Sequence, residues 1–408
     1  MTHAGTAAPT TQTLVTNVRP HGGPAVDVHV ADGHITALTP HKEASPSAAS
    51  GTLVIDGRGL LALPGLVNAH AHVDKSWWGQ PWVSYAGEST TQGRIAHERA
   101  HRDALGIPGR DVTLAVLREF LRHGTTAIRT HVDVDLGLGL RGIDVVRDAL
   151  AELDGAMTAT IVAFPQDGVL RRPGVLDLLD AAAAAGADMI GGLDPASIDR
   201  DPVGQLDALV DIAVRRDVGI DLHLHDGGEL GAFQIELLVE RTLREGLHGR
   251  VNLAHGFAVG QLPASQQQDL VAAMGEAGIS MTTVAPIRTA PLPLQLLTAH
   301  GVPVGLGTDG IRDLWAPFGD GDLLKVTTRF AQLCGLRTDE ELVGAAELAT
   351  SKAAAFVGRS VHDLVPGAVA DLVLVDAENV PDAVVRAPRR ETVLAGGRLV
   401  VQDGQLLL

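Results

Sequence analysis

Histidines and aspartates recur directly after short apolar runs in the middle of this sequence. His70 and His72 follow the run LLALPGLV at residues 60–67. The later residues that share this position are His131, Asp133, Gln166, His223, His225, Asp226, His255 and Asp309. A lone buried histidine is most often a hydrogen-bonded core residue. Here, polar residues follow six of the apolar runs. Burying each of them unpaired would cost several kcal/mol, so their repetition indicates a functional site.

The spacing of His70 and His72 indicates a shared metal ion. Alternate residues of a strand point to the same side, so both imidazoles can bind one ion. A nitrogen of His223 and a carboxylate oxygen of Asp309 would complete three nitrogens and one oxygen, which suits Zn²⁺ or Fe²⁺. Such an ion lowers the pKa of a bound water toward neutrality and makes it a nucleophile.

Eight apolar segments must position these residues. They alternate with helix-like segments such as 176–187 and 233–246, and their nearly continuous hydrophobicity is typical of a parallel sheet covered on both faces. The eight segments are 63–70, 125–132, 159–164, 188–193, 219–224, 251–256, 280–284 and 303–309. The pattern predicts an α/β fold, a (β/α)₈ TIM barrel, whose active site lies at the C-terminal ends of the strands.

The two ends of the chain resemble each other and differ from the middle. Residues 12–62 and 366–408 contain short strand-like runs, with Asp-Gly pairs at the expected hairpin turns. We therefore expect a small β-sandwich domain built from both termini, residues 1–62 plus 360–408, and a barrel domain at 63–359. The segment ASPSAASG at 44–51 predicts a surface loop.

Composition excludes several classes of partner. The formal charge of −17 opposes binding to nucleic acid and to anionic membranes. No apolar run approaches the ~20 residues of a membrane span, and the first residues show no signal-peptide pattern. The single cysteine, Cys334, permits no internal disulfide and fits a reducing compartment. We expect a cytoplasmic homo-oligomer with a small-molecule substrate.

Six motifs in order resemble the cytosine-deaminase-like branch of the amidohydrolase superfamily, over nearly the whole chain. They are PGLVNAHAHVDKS, HVDVD, IVAFPQDG, HLHDGGELGAF, LAHGF and GTDGIRDLW. The resemblance implies a distorted barrel with one catalytic metal bound by His70, His72, His223 and Asp309. No lysine follows segment 188–193, where dinuclear relatives carry a carbamylated lysine, so a mononuclear site is expected.

The resemblance also implies roles for other residues. Asp226 falls at the position of the proton shuttle, often a glutamate in the branch, and His255 at that of the histidine that polarises the bond under attack. Gln166 resembles a side chain that hydrogen-bonds a ring amide of the substrate, and Asp309 can help to relay the proton. Cytosine deaminases carry a second acid where this chain has Gly310. We therefore expect a ring larger than cytosine, or one that carries a substituent, with room for it at Gly310.

Some residues have two interpretations. Lys75 could contact a substrate carbonyl or carboxylate, or pair with an acid. Trp77, with Trp78 and Trp82, could form a wall for a flat heterocycle or cap the barrel. Asp194 could bind substrate or serve as the N-cap of a helix. His131 and Asp133 are expected to orient the metal ligands.

The sequence predicts a metal-dependent hydrolase that acts on a carbon–nitrogen bond. The first hypothesis is deamination of a small nitrogen heterocycle of the aminopyrimidine or aminotriazine type, through an activated water. The alternative is hydrolysis of a cyclic amide, or of an N-alkyl substituent, by the same site. A third hypothesis, a non-catalytic barrel that has lost its metal, is opposed by the intact set of ligands.

Overall fold

Strands and helices alternate through the middle of the chain, and strands dominate both ends. The computed structural model describes residues 12–43, 51–85 and 87–408. The strands are β1 (Gln12–Pro20), β2 (Val26–Ala31), β3 (His34–Pro40), β4 (Leu53–Pro64), β5 (Leu66–His72), β6 (Thr125–Asp133), β7 (Thr158–Phe164), β8 (Met189–Leu193), β9 (Gly219–Leu224), β10 (Val251–His255), β11 (Ser280–Thr283), β12 (Val304–Leu306), β13 (Asp309–Gly310), β14 (Leu372–Val375), β15 (Arg390–Ala395), β16 (Arg398–Gln402) and β17 (Gln405–Leu406). The helices are α1 (Thr91–His101), α2 (Arg110–Arg122), α3 (Arg141–Glu152), α4 (Val175–Ala184), α5 (Pro202–Arg216), α6 (Gly228–Arg244), α7 (Phe257–Gln261), α8 (Ala264–Glu276), α9 (Leu294–Ala299), α10 (Leu323–Cys334), α11 (Asp339–Glu347) and α12 (Val380–Arg386).

A curled parallel sheet forms the centre of the molecule. Its strand order is β12-β11-β10-β9-β8-β7-β6-β5-β13. Every residue of β5, β6, β8 and β10 is buried, because helices pack over the sheet, so burial along these strands does not alternate. Each predicted strand segment overlaps one of the strands β5 to β12. The fold is therefore α/β and resembles a TIM barrel.

The eighth strand is interrupted, and the interruption positions the site. β12 pairs with β11, whereas β13 pairs with β5, matching Asp309 to Ala71 and Gly310 to His72. Between them, Gly307 lies so close to His70 that a Cβ there would be 2.4 Å from the His70 carbonyl oxygen. Asp309 has a φ of 62°. The break therefore brings Asp309 beside both histidines of β5.

Both chain ends contribute to one second sheet. Its order is β17-β16-β15-β14-β4-β1-β2-β3, and β4 lies between β1, which is parallel to it, and β14, which is antiparallel. The prediction that the two ends assemble together is confirmed, although their strands form one continuous hydrogen-bonded sheet. A small apolar core made by residues from both ends, including Val15, Val28, Leu372 and Leu394, packs against it.

One predicted hairpin turn is wrong. Asp32-Gly33 and Asp403-Gly404 make turns with positive φ, as expected of Asp-Gly pairs. Asp56-Gly57 instead lies inside β4. A Cβ at position 57 would be 2.2 Å from the Val18 side chain, so this glycine permits close approach of β1.

Buried polar contacts join the terminal sheet to the start of β5. The His362 ring lies 2.6 Å from the Gly65 carbonyl oxygen through Nε2 and 2.7 Å from Arg359 through Nδ1. Arg359 also donates to Asp371, at 2.6 Å. Because Gly65 precedes β5, these contacts fix the position of the strand that carries His70 and His72.

The remaining expectations concern the surface and the thiol. Most of the loop predicted at 44–51 lies outside the described residues. Among the helices that the structure describes, none has both the length and the apolar character needed to cross a bilayer. Cys334 ends α10 and is partly buried, and burial raises the pKa of its thiol to about 11.

Candidate active site

All four predicted metal ligands converge at the C-terminal ends of the strands. His223 Nε2 lies 3.3 Å from His72 Nε2. Asp309 Oδ1 lies 3.4 Å from His72 Nε2 and 3.7 Å from His70 Nε2. Ligands of a tetrahedral ion with bonds of ~2.0–2.1 Å lie about 3.3 Å apart, so these separations fit a single ion.

The chemistry of these histidines also fits a metal ion. Within the described parts of the chain, both ring nitrogens of His70 and Nδ1 of His72 and of His223 are buried without a hydrogen-bond partner. Burial holds the pKa of His72 and His223 well below the usual histidine value, so their rings are neutral and retain a lone pair for a metal. Unpartnered buried nitrogens are costly unless a ligand binds them.

His131 adjoins the same cluster from β6. Its ring centroid is 4.3 Å from that of His70, and its ligand atoms lie close enough to those of His70, His72 and His223 to share an ion with them. On its other side, Nε2 lies 3.3 Å from Asp221 Oδ1. Asp221 also accepts from Arg129 at 3.0 Å. His131 thus joins the histidine cluster to a buried carboxylate, whereas Asp133 turns toward Lys75.

His255 and His225 form a stacked pair beside the cluster. Their ring centroids are 4.4 Å apart, and His255 lies 4.9 Å from His70. Asp194 holds His225 through two contacts, at 2.9 Å to ring Nδ1 and at 2.5 Å from its backbone N–H. Burial alone would lower the pKa of His225, but the hydrogen bond to Asp194 and the negative charges of the nearby acids together outweigh it, and the pKa is raised.

Asp194 therefore has a defined position. It is 1% exposed, and its side chain caps no helix. Both carboxylate oxygens are engaged by the His225 segment. In this structure Asp194 positions His225 at the site.

The side chain of Asp226 has a different partner from that of its neighbour His225. Its Oδ2 accepts a hydrogen bond from Gln234 Nε2 of α6 at 3.0 Å. The sequence analysis placed His225 at the end of its apolar run but gave it no role, although a signal for one existed. It stands two residues after His223, the same spacing that relates His70 to His72, and alternation along an extended chain places both on one side.

Lys75, Gln166 and Glu98 form a buried polar cluster next to these histidines. Lys75 Nζ lies 2.8 Å from Asp133 Oδ1 and 3.8 Å from Glu98 Oε1. Gln166 Nε2 donates to Glu98 Oε2 at 2.9 Å, and Trp315 Nε1 donates to the same oxygen. Burial opposes a charge on Lys75, but the nearby acids outweigh burial and raise the pKa of its amine. Glu98 lies on α1 and was missed because no motif surrounds it.

The expected free space at Gly310 is absent. A Cβ at this position would be 1.7 Å from Asp313 Oδ2. Asp313 Oδ1 accepts from the backbone N–H groups of Trp315 and Ala316, each at 2.8 Å. Burial raises the pKa of the Asp313 carboxyl to about 6. The prediction of room for a larger ring at Gly310 is wrong, because a carboxyl group from three residues further on fills it.

The tryptophans are distributed differently from the expected wall. Trp77 is 1% exposed and packs against Arg312, whose guanidinium carbon is 4.0 Å from the ring centroid. Trp82 is exposed. Trp315 instead reaches Glu98 and packs against the apolar cluster around Phe164. Phe164 in turn contacts His223, with ring centroids 4.2 Å apart. Trp315 is thus the tryptophan nearest the histidine cluster.

A narrow cavity lies beside His255. Its lining is mostly apolar and includes Phe257, Leu292, Phe330 and Cys334. A cavity next to the histidine pair and lined in this way suits an alkyl group better than a charged one.

Comparison with known proteins identifies the family. The profile of the amidohydrolase family matches residues 53–407. The chain is 41% identical to the N-isopropylammelide isopropylaminohydrolase of Burkholderia multivorans, whose crystal structure superimposes with a TM-score of 0.91 and 97% and 100% coverage of the two chains. It is 29% identical to the N-isopropylammelide isopropyl amidohydrolase of Pseudomonas sp. strain ADP, over 86% and 88% of the two proteins.

A third relative is a 5-methylcytosine deaminase from Klebsiella pneumoniae, solved with 5-fluorocytosine. It is 25% identical, with a TM-score of 0.82 and 96% and 97% coverage of the two chains. The protein belongs to the amidohydrolase family, and the predicted resemblance is confirmed. It is a hydrolase that acts on carbon–nitrogen bonds, with a histidine cluster able to bind a metal.

Proposed function

We propose that this enzyme hydrolyses the exocyclic carbon–nitrogen bond of an oxo-substituted nitrogen heterocycle and releases an alkylamine. Alkylamine release was the alternative in the sequence analysis, and the similarity to two N-isopropylammelide hydrolases is the observation that carries it. The apolar lining beside His255 supports the same substrate class, because it offers apolar contacts to an alkyl group on the leaving nitrogen.

The metal ligands we propose are His70, His72, His223 and Asp309. Their separations and the unpartnered ring nitrogens support this set. When bound, a divalent ion at this position polarises the substrate and activates a water. We propose one ion, Zn²⁺ or Fe²⁺, because three nitrogens and one oxygen suit either.

His225 is proposed as the group that accepts and returns the proton. Asp194 holds its Nδ1, so Nε2 remains to exchange a proton with water and then with the leaving amine. Asp226, assigned from the resemblance, is the alternative, but its carboxylate is engaged by Gln234. His255 stacks on His225 and is proposed to stabilise negative charge at the carbon under attack.

The substrate ring is proposed to bind between Gln166, Lys75 and Trp315. Gln166 and Lys75 supply polar groups for ring amides, and the Trp315 indole supplies a flat face. Asp194 acts through His225, and Trp77 supports the loop that carries Lys75.

The test is product analysis with the purified, metal-loaded enzyme and N-isopropylammelide. We expect isopropylamine and the corresponding oxo compound in equal amounts. Release of ammonia from amino-substituted pyrimidines or triazines, with no turnover of N-isopropylammelide, would favour deamination instead. A ring-opened acid would indicate cyclic amide hydrolysis.

We also propose the domain bounds, the cellular location and the oligomeric state of the protein. The pairing of β12 with β11 and of β13 with β5 supports a closed, distorted (β/α)₈ barrel at 63–359. The mixed origin of the second sheet supports a sandwich domain of 1–62 plus 360–408. A single cysteine supports a reducing, cytoplasmic location, and exposed apolar side chains such as Phe318 support homo-oligomer formation.

A further inference from the structure

The Glu98 carboxylate contacts side chains that follow several different strands. It is 2% exposed, and its Oε2 accepts hydrogen bonds from Gln166 Nε2, at 2.9 Å, and from Trp315 Nε1. Its Oε1 lies 3.8 Å from Lys75 Nζ. One carboxylate thus contacts both polar side chains expected to bind the substrate ring. No role follows for it from the family motifs quoted above.

The contact determines which way the Gln166 amide faces. An ionised carboxylate only accepts hydrogen bonds, whereas an amide has a donating nitrogen and an accepting oxygen. Rotating the amide by half a turn would place its carbonyl oxygen against Glu98 Oε2, acceptor against acceptor. The donor end is therefore held at Glu98, and Oε1, to which no described group donates, points elsewhere.

Gln166 lies beside the region that the proposed substrate occupies. Gln166 follows β7, and its neighbour Phe164 packs 4.2 Å from His223 and 5.5 Å from His72, measured between ring centroids. Lys75 Nζ lies 5.6 Å from the same Phe164 ring. Gln166 offers one acceptor here, and Lys75 offers a donor beside it. This pair complements a ring N–H next to a ring carbonyl.

We propose that Glu98 is a positioning residue that determines substrate specificity. By holding the Gln166 amide in one orientation, it restricts the enzyme to heterocycles that present a ring N–H to Oε1. The proposal deepens the proposed function and rests on it for the identity of the site. Glu98 itself does not touch the reacting atoms.

The experiment compares two probes, N-isopropylammelide and its analogue methylated at both ring N–H groups. We expect the wild-type enzyme to prefer the first by at least ~10-fold in kcat/KM, since one hydrogen bond to a buried group is lost with the second. Glu98→Gln should reduce this preference severalfold, because glutamine can accept or donate and Gln166 then populates both orientations. The change should be mainly in KM for the N–H probe.

Two further variants separate positioning from a general structural effect. Trp315→Phe removes the other donor to Glu98 Oε2 and should keep the preference for the N–H probe. The double variant Glu98→Gln with Gln166→Glu restores an acceptor-only group at position 166 with the same total charge, and should restore the preference. If Glu98→Gln does not fold, Glu98→Met, which has a similar length and no hydrogen-bonding group to orient the amide, replaces it with the same expectation.

Binding measured by calorimetry tests this inference separately from the proposed function. The ligand is cyanuric acid, which retains ring N–H groups flanked by carbonyls, and its binding can be measured without catalysis. Wild-type enzyme should bind it more tightly than its trimethylated form, and Glu98→Gln should narrow the difference. If the wild type hydrolyses N-isopropylammelide but Glu98→Gln keeps the full preference, the role of Glu98 is wrong while the function stands. If the wild type binds cyanuric acid and its trimethylated form equally tightly, the proposed role of Glu98 is also wrong.

Discussion

His225 and Asp226 are neighbours in the chain, but their side chains have different partners. His225 stacks on His255 and binds Asp194, whereas Asp226 binds Gln234 of α6. Paired variants separate their roles. His225→Asn should lower kcat by ~10²–10⁴-fold, the usual contribution of general acid–base catalysis. Asp226→Asn should cost less than ~10-fold, because an amide oxygen still accepts from Gln234. Steady-state kinetics at constant metal content gives the comparison, and the reverse order would restore Asp226 as the proton acceptor.

The metal ligands lead to a second prediction. The purified wild-type protein should hold one divalent ion per chain by elemental analysis, and His72→Ala should lose most of it. Because an ion bound only to the folded state stabilises it, chelation should lower the thermal unfolding midpoint of the wild type. The matched control is His41→Ala, which changes a partly buried histidine directly after β3 of the terminal sheet. This variant should keep the ion. Full metal content in His72→Ala would contradict this ligand set.

Gly310 gives a third prediction. A methyl group at this position meets Asp313 Oδ2 at 1.7 Å, so Gly310→Ala must displace a buried carboxyl that also holds two backbone N–H groups. We expect the free energy of unfolding to fall by ~1–3 kcal/mol, with loss of activity. Gly344→Ala in α11, where a methyl group meets nothing within 4 Å, should be neutral or slightly stabilising. Differential scanning calorimetry of both variants tests this, and equal midpoints would contradict it.

At the scale of the elements, His362 links the terminal sheet to β5 in its neutral form. Its Nε2 donates to the Gly65 carbonyl and its Nδ1 accepts from Arg359. Burial lowers the pKa of His362 below the usual value of 6.5. A lowered histidine pKa contributes stability that is present above pH 6.5 and is lost as the pH falls through the folded-state value. A proton on Nδ1 would face the Arg359 cation.

We therefore expect the wild type to lose stability between neutral pH and about pH 5 in part through this residue. His362→Gln offers a donor and an acceptor without a titratable group, so its stability should depend less on pH over the same range. Urea unfolding at pH 7.5 and pH 5.0 for both proteins measures the difference. The same pH dependence in both would show that other groups carry it.

Much of the architecture could be predicted because parallel strands are buried on both faces. Their uninterrupted apolar runs are visible in the sequence, and the polar residues that follow them mark the site. Contacts between separate elements could not be predicted. Glu98 lies on a helix with no distinguishing motif, and the Asp313 carboxyl reaches Gly310 only because of the turn between them. The spacing between His223 and His225 could have predicted a role for His225, but the resemblance implied that Asp226 transfers the proton.

At the scale of the whole molecule, β4 is the strand to which both ends of the chain attach. It pairs with β1 on one side and with β14 on the other, then continues through Gly65 into β5. A protein ending after residue 368 lacks β14 and leaves this edge of β4 without a partner. We expect it to aggregate, since open edges bind other strands. A protein ending after residue 404 lacks only β17 and should remain monodisperse in size-exclusion chromatography. Soluble, folded protein from the shorter chain would contradict this.

The position of β4 also has a consequence during synthesis. The ribosome makes β4 and β5 early, but the partner strand β14 begins at Leu372, about three hundred residues later. At ~5–20 residues per second, β4 must wait tens of seconds or less with one edge open. During that interval the histidines of β5 have no completed support from the terminal sheet. The nascent chain can therefore complete this support for β5 only after β14 has been made.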